Sequence, residues 1–222
     1  MWNIQYIYQN GHYVPFLYPF VYFLLNNHLL TITILLKILA VNYFVHFGHL
    51  LPVSSICNPI LKPFMRLTDT GYIATCFFIF NPAFFPIAFN IHMLIFVGYF
   101  IAILFCGMTD ADYIHLPQVD NDFALKWSYA VHLLPICFYL YYMIQHRKNI
   151  RFSNSTFKYS AYWVLIWFVF IYIPWRVFTG DIIYSILGDD TSLYMKLLIV
   201  AGVFIALYGS NRVGQLFCKS CK

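Results

Sequence analysis

Long apolar stretches separated by short polar gaps make up most of this chain and leave it few possible folds. Of its 222 residues, 62% are hydrophobic and 9% are charged, whereas soluble domains carry about a quarter charged residues. A water-soluble globule could not cover that much apolar surface with so little charge. In a bilayer the backbone groups must pair within the chain, which favours helices, and the stretches lack the alternation expected of barrel strands. The sequence therefore predicts an all-α, polytopic transmembrane helix bundle.

Five stretches have nearly the length of about 20 residues that a bilayer crossing needs. They cover residues 70–89, 91–108, 127–144, 159–177 and 193–208. Residues 1–60 allow two interpretations, one span with a re-entrant piece or two spans that break near Lys37. We therefore predict six to seven spans in a single integral membrane domain over residues 1–222. Asn90 and His92 interrupt the apolar run between the first two stretches, which indicates a tight hairpin or one bent helix.

The distribution of charge predicts an orientation in the membrane. Residues 145–158 hold four basic side chains and no acidic one, and residues 210–222 are also basic. Seven of the eight acidic residues lie in two other loops, 109–126 and 179–191. Because cytoplasmic loops are enriched in lysine and arginine, we expect the basic loop and a short tail over 210–222 to be cytoplasmic. The acidic loops then lie outside.

Ionisable side chains within an apolar span usually face a cavity or the interior of the bundle. His132 is such a residue, and a neutral imidazole can serve as a base or a proton shuttle. The alternative is a buried histidine satisfied by a nearby carbonyl. Cys57 is a candidate nucleophile, or else a small core residue. It lies among two prolines, two serines and Asn58, so irregular backbone that lines a cavity is expected there.

Two basic residues also fall within or beside apolar stretches. Arg176 follows Pro174-Trp175, and its guanidinium could hold the phosphate or carboxylate of a headgroup. Lys37 and Arg176 could instead extend their charged ends to the membrane surface.

The sequence predicts no metal site and no cofactor, and it contains no glycine-rich phosphate-binding loop. The net charge of +5 is explained by attraction of juxtamembrane residues to anionic lipids. We therefore expect membrane lipids as partners and no nucleic acid.

Three short segments, taken in order, resemble the YwaF-like bacterial integral-membrane family and its eukaryotic transmembrane acyltransferase relatives. They are LPVSSICN at residues 51–58, WSYAVH at 127–132 and FTGDIIY at 178–184. These relatives are distantly similar to the androgen-induced membrane hydrolases of fatty-acid esters. Another alignment places the first segment at 85–92, without a cysteine, and His132 is common to both alignments.

The resemblance implies a lipid acyltransferase or ester hydrolase in which Cys57 is the acyl-accepting nucleophile and His132 its base. Ser54, Ser55 or Asn58 would then supply donors to the oxyanion, and Arg176 and Asn58 would contact the substrate. The resemblance also favours a bacterial plasma membrane. Two alternatives are a transporter or channel subunit, because broken helices such as one at Asn81-Pro82 occur at transporter sites, and a non-catalytic membrane scaffold.

Overall fold

A computed structural model describes residues 24–28, 30–32, 34–35, 66–106, 121–180 and 184–219. Lys37, Cys57 and Asn58 lie outside these residues, so the predictions made for them stay predictions. In the described part of the chain every regular element is helical and no strand occurs. The predicted all-α class is therefore confirmed.

From residue 66 onward, the described part of the chain forms six α-helices. They are α1 (Leu67–Phe80), α2 (Phe85–Cys106), α3 (Asn121–His146), α4 (Asn154–Trp167), α5 (Ile173–Thr179) and α6 (Leu193–Lys219). Short 3₁₀ turns occupy Pro82–Phe84 and Ser185–Leu187, and a π-helical turn at Phe168–Tyr172 joins α4 to α5.

Three helical segments of the described chain are long and apolar enough to cross a membrane. They are Pro82–Leu104, Asn154–Phe178 and Leu193–Cys218, and α1 is apolar but shorter. These segments are consistent with a membrane protein, whereas the total of six to seven spans stays a prediction. Helix α6 continues through Lys219, so residues 210–219 of the predicted tail are helical.

Of the two alternatives predicted at Asn90, the tight hairpin is wrong, because one helix runs through Asn90 and the preceding helix ends at Asn81. Asn81 has an extended backbone (φ −140°, ψ 104°) that terminates α1. Pro82 follows and lacks a backbone N–H, and Asn81 Oδ1 accepts a hydrogen bond from Ala83 N at 3.1 Å. The chain therefore turns over Pro82–Phe84, while α2 runs without interruption through Asn90 and His92.

Helices α1 and α2 pack as an antiparallel pair on either side of this turn. Close to the turn, the rings of Phe78 and Phe85 lie 5.3 Å apart. Farther away, the side chain of Ile95 fills the space beside Gly71. Helix α3 completes an aromatic core, in which Phe138 and Tyr139 contact Phe78.

Asn90 can lie within α2 because its side-chain amide has partners on two other helices. Its Nδ2 donates to Ser160 Oγ at 3.1 Å and to Asn211 Oδ1 at 3.3 Å. Its Oδ1 accepts from Ser210 Oγ at 3.2 Å. Asn90 is fully buried, and such amide and hydroxyl contacts hold helices together in membranes. We call these four residues the Asn90 clamp, which joins α2, α4 and α6.

Gly214 gives a direct test of this packing. A Cβ atom at position 214 would lie 2.5–2.6 Å from the ring of Phe152, which is itself buried and 5.5 Å from the ring of Phe89. We expect Gly214→Ala to destabilise the protein by about 1–3 kcal/mol, because the ring must shift in a filled core. Thermal unfolding in detergent micelles measures this as a lower Tm.

Gly202 provides the control on the same helix, since no atom of the described residues lies within 4 Å of a Cβ atom built there. Alanine at that position should be neutral or slightly stabilising, because it reduces backbone freedom in the unfolded chain. Equal Tm values for the two variants would contradict the packing of Phe152 against α6.

Candidate functional site

His132, on α3, lies beside a hydroxyl group of α1. Its Nε2 is 3.3 Å from Oγ1 of Thr68, which is in the first turn of α1 and only 7% exposed. The ring of Tyr99, on α2, stacks on the imidazole with a centroid distance of 3.7 Å and an interplanar angle of 6°. Three helices therefore position one imidazole and one hydroxyl against each other.

Thr68 has this position because α1 begins immediately before it. Arg66 precedes the helix in an extended conformation, and its backbone N–H donates to Asp69 Oδ2 at 3.3 Å. Asp69 is buried, and a carboxylate in the first turn is favoured by the helix dipole. The side chain of Thr68 points from this first turn to α3, one turn before Tyr72, whose hydroxyl donates to Val131 O at 3.0 Å.

Tyr184 reaches the same first turn from the connection between α5 and α6. Its hydroxyl oxygen accepts a hydrogen bond from the backbone N–H of Leu67 at 2.9 Å, and the side chain of Thr68 interacts with the same phenol. Burial raises the pKa of Tyr184 to about 12, with the charge of Arg66 lowering it and that of Asp69 raising it. The phenol therefore stays protonated at neutral pH and can donate a hydrogen bond.

An aromatic cluster packs behind Tyr184 and Leu67. Its buried members are Trp167, Tyr172 and Trp175, which lie before, within and after the π-helical turn. Such turns often occur at functional sites, because the extra residue changes the direction of the side chains. The cluster gives this end of the bundle an apolar wall.

A second polar group, which we call the Thr75 junction, lies deeper between α1, α2 and α3. Thr75 Oγ1 donates to Gly71 O at 3.1 Å and lies 2.9 Å from His92 Nε2 and 2.8 Å from Tyr139 Oη. The rings of His92 and Tyr139 also stack, with centroids 5.1 Å apart. All these groups are buried and bonded to each other, so we assign the junction a structural role.

The other residues predicted for the site have different surroundings. The guanidinium of Arg176 forms an ion pair with Asp189 and donates to the carbonyl oxygen of Gly180. Its neighbour Trp175 packs in the cluster that contains Tyr184. Arg176 is therefore at the same end of the bundle as Thr68 but is already paired with a carboxylate of its own chain. Cys57 and Asn58 lie outside the described residues.

The sequence did not reveal Thr68 or the role of Tyr184. A threonine near the start of an apolar stretch is common and carries no pattern of its own. Tyr184, however, is the last residue of the third segment in the family resemblance, and His132 is the last of the second. Among the residues that the structure describes, no group of three or more histidine, cysteine, aspartate or glutamate side chains could hold a metal ion.

No protein-family model matches the sequence, and neither a curated protein nor a solved structure matches it. The family resemblance therefore stays a prediction. What the structure adds is that two of the three segments that carry it end beside one turn of α1, at His132 and at Tyr184.

The structural role of the Thr75 junction predicts a loss of stability in Thr75→Val. This change keeps the shape of the side chain but removes the hydroxyl that His92 and Tyr139 share, and leaving buried polar groups unbonded costs about 1–3 kcal/mol each. We expect unfolding in detergent to require about 2 kcal/mol less free energy.

Thr70→Val is the matched control, because the hydroxyl of Thr70 donates to Leu67 O at 2.8 Å within its own turn. It should cost clearly less than Thr75→Val. The opposite order of stabilities would show that the junction does not hold the three helices together.

Proposed function

We propose that the protein is a membrane-embedded enzyme that hydrolyses lipid esters or transfers their acyl groups, with His132 as the general base. The observation that supports this is the distance of 3.3 Å between Thr68 Oγ1 and His132 Nε2. A hydroxyl becomes a useful nucleophile when an adjacent base can take its proton, and the pair is often slightly longer than a normal hydrogen bond before substrate binds. Thr68 is therefore the nucleophile in this proposal.

The reaction follows from the two groups. Neutral His132 accepts the proton of the Thr68 hydroxyl while the oxygen attacks the carbonyl carbon of an ester. The bond to the leaving alcohol then breaks, and His132 gives the proton to that alcohol. This leaves an acyl group on Thr68, which water or a second alcohol removes in the reverse sequence of proton transfers. Water gives hydrolysis, and a second alcohol gives acyl transfer.

The negative charge on the carbonyl oxygen needs hydrogen-bond donors in the transition state. Tyr184 is suited to this role, because its phenol is protonated and lies at the first turn of α1 beside Thr68. Ser54, Ser55 and Asn58 stay the donors that the family resemblance implies. The apolar wall of Trp167, Tyr172 and Trp175 offers a surface for an acyl chain, which is consistent with membrane lipids as substrates.

The alternative of a transporter has less support from the structure. It was suggested by a break at Asn81-Pro82 within a span, yet this break is the turn between α1 and α2. It is therefore not an interruption of one membrane-crossing helix. The polar side chains of the Asn90 clamp are also bonded to each other, which suits a structural role better than a substrate site.

Variants of Thr68 and His132 test this proposal. The purified protein in detergent is treated with a fluorophosphonate that carries a long alkyl chain, and hydrolysis of a long-chain ester is measured in parallel. Thr68→Ala and His132→Ala should each lower both rates about a hundredfold or more, while Thr68→Ser should retain labelling. Thr70→Ala is the control for a neighbouring buried hydroxyl and should behave like the parent protein.

Cys57→Ser separates the two candidate nucleophiles. Under our proposal it leaves labelling unchanged. Loss of labelling in Cys57→Ser but not in Thr68→Ala would transfer the role of nucleophile to Cys57, as the family resemblance implies. Unchanged rates in both Thr68→Ala and His132→Ala would remove the proposed reaction.

We further propose that the basic loop 145–158 is cytoplasmic, which would place Tyr184 and the candidate site towards the outside. Lys148 and Asp190 are both exposed. Lys148 lies in the loop predicted to be cytoplasmic, and Asp190 lies in a loop predicted to be outside. A membrane-impermeant maleimide should label Asp190→Cys in intact cells and Lys148→Cys only after permeabilisation, each compared with the background of the parent chain. Labelling of Lys148→Cys in intact cells would reverse the orientation.

A further inference from the structure

A groove runs along the bundle surface at the end of α1 and α2 that is opposite the candidate site. One wall is formed by Ala83, Phe84 and Ile87, and the other by Thr156, Tyr159 and Trp163 of α4. Its volume is about 540 Å³, which is within the usual range for small-molecule sites. Thr68 and His132 do not contribute to it.

The walls of this groove belong to two segments that are suited to cross a membrane, Pro82–Leu104 and Asn154–Phe178. Tyr162 and Ile166, which also line it, are more than half exposed among the described residues, so we expect this side of the groove to face the bilayer. Its lining is mostly apolar and aromatic, and Tyr159 is more than half exposed. Tyrosine and tryptophan are enriched where hydrocarbon meets headgroups, so an acyl chain fits the groove and its interfacial end lies at the start of α4.

The start of α4 is strongly basic. Ser153 and Ser155 line the groove there, and both lie between Arg151 and Lys158 in the sequence. Residues 145–158, which form the loop before α4 and its beginning, contain no acidic residue. They carry four exposed basic residues, Arg147, Lys148, Arg151 and Lys158. A ligand with an acyl chain in the groove would thus place its headgroup among positive charges, and basic pockets beside membrane helices favour anionic headgroups.

We propose that this groove binds an anionic phospholipid of the surrounding bilayer. The acyl chain lies against Phe84, Ile87 and Trp163, and the phosphate lies near the hydroxyls of Ser153 and Ser155 and the charges of Arg151 and Lys158. The proposal does not depend on the candidate enzyme activity, because the groove and the Thr68–His132 pair share no residue.

The test measures lipid retained by the full-length protein in neutral detergent by native mass spectrometry. Phosphatidylglycerol and phosphatidylcholine with identical acyl chains are added in equal amounts. The parent protein should retain phosphatidylglycerol in clear preference. The double variant Arg151→Gln/Lys158→Gln should lower this preference about tenfold or more, since each cation near an anionic headgroup contributes substantially to binding.

The control variant Lys126→Gln/Lys196→Gln removes the same number of positive charges near the starts of α3 and α6, away from residues 145–158. It should keep the preference of the parent. Ala83→Trp fills the groove, because Ala83 is exposed and lines it, and should reduce retention of phosphatidylglycerol several-fold. The charge variants alter exposed side chains, so their result stands even if Ala83→Trp does not yield folded protein.

Three results would overturn the proposal. One is equal retention of the two lipids by the parent protein. Another is a control variant that loses as much preference as Arg151→Gln/Lys158→Gln, which would mean that overall charge, and not this groove, selects the lipid. The third is folded Ala83→Trp that retains phosphatidylglycerol as the parent does.

Discussion

Hydrogen bonds between buried polar side chains decide which helices of this bundle are neighbours. In a bilayer an apolar helix face packs about as well against lipid as against another helix, so apolar surface alone selects no partner. Asn90 provides the selection, because its amide bonds to Ser160 on α4 and to Ser210 and Asn211 on α6. The Thr75 junction does the same for α1, α2 and α3 through His92 and Tyr139.

The candidate site lies on the same helices, farther along α2 from the Asn90 clamp than the Thr75 junction is. Along α2 the chain passes from Asn90 in the clamp, to His92 in the junction, to Tyr99 beneath the imidazole of His132. At a rise of 1.5 Å per residue, the nine steps from Asn90 to Tyr99 span about 14 Å. A reactive pair needs supporting residues that fix its geometry, and the antiparallel packing of α1 on α2 brings Thr68 to the level of Tyr99. Thr68, His132 and Tyr99 are thus held by helices, whereas Tyr184 comes from the connection between α5 and α6.

Composition was sufficient to predict the helical class, because so few charged residues can be distributed among so many apolar ones. The position of the turn could not be predicted in the same way. Asn81 and Asn90 both interrupt an apolar run. Asn81 is followed by Pro82 and bonds locally to Ala83, whereas Asn90 is buried inside a helix because it has partners on two other helices, which the sequence does not show. His132 could be selected because an ionisable residue in an apolar stretch is unusual. Thr68 could not, since only its spatial relation to His132 makes it notable. The ion pair of Arg176 with Asp189 was likewise not evident from a separation of thirteen residues.

The central claim is that the Thr68 hydroxyl is the group which His132 activates. It is tested most directly by locating the covalent adduct of an alkyl fluorophosphonate with peptide mass spectrometry, after labelling the protein with no substitutions. Our account predicts that the adduct is on Thr68 and that none forms in His132→Ala. An adduct on Cys57 or another residue, or one on Thr68 that forms equally well without His132, would contradict it.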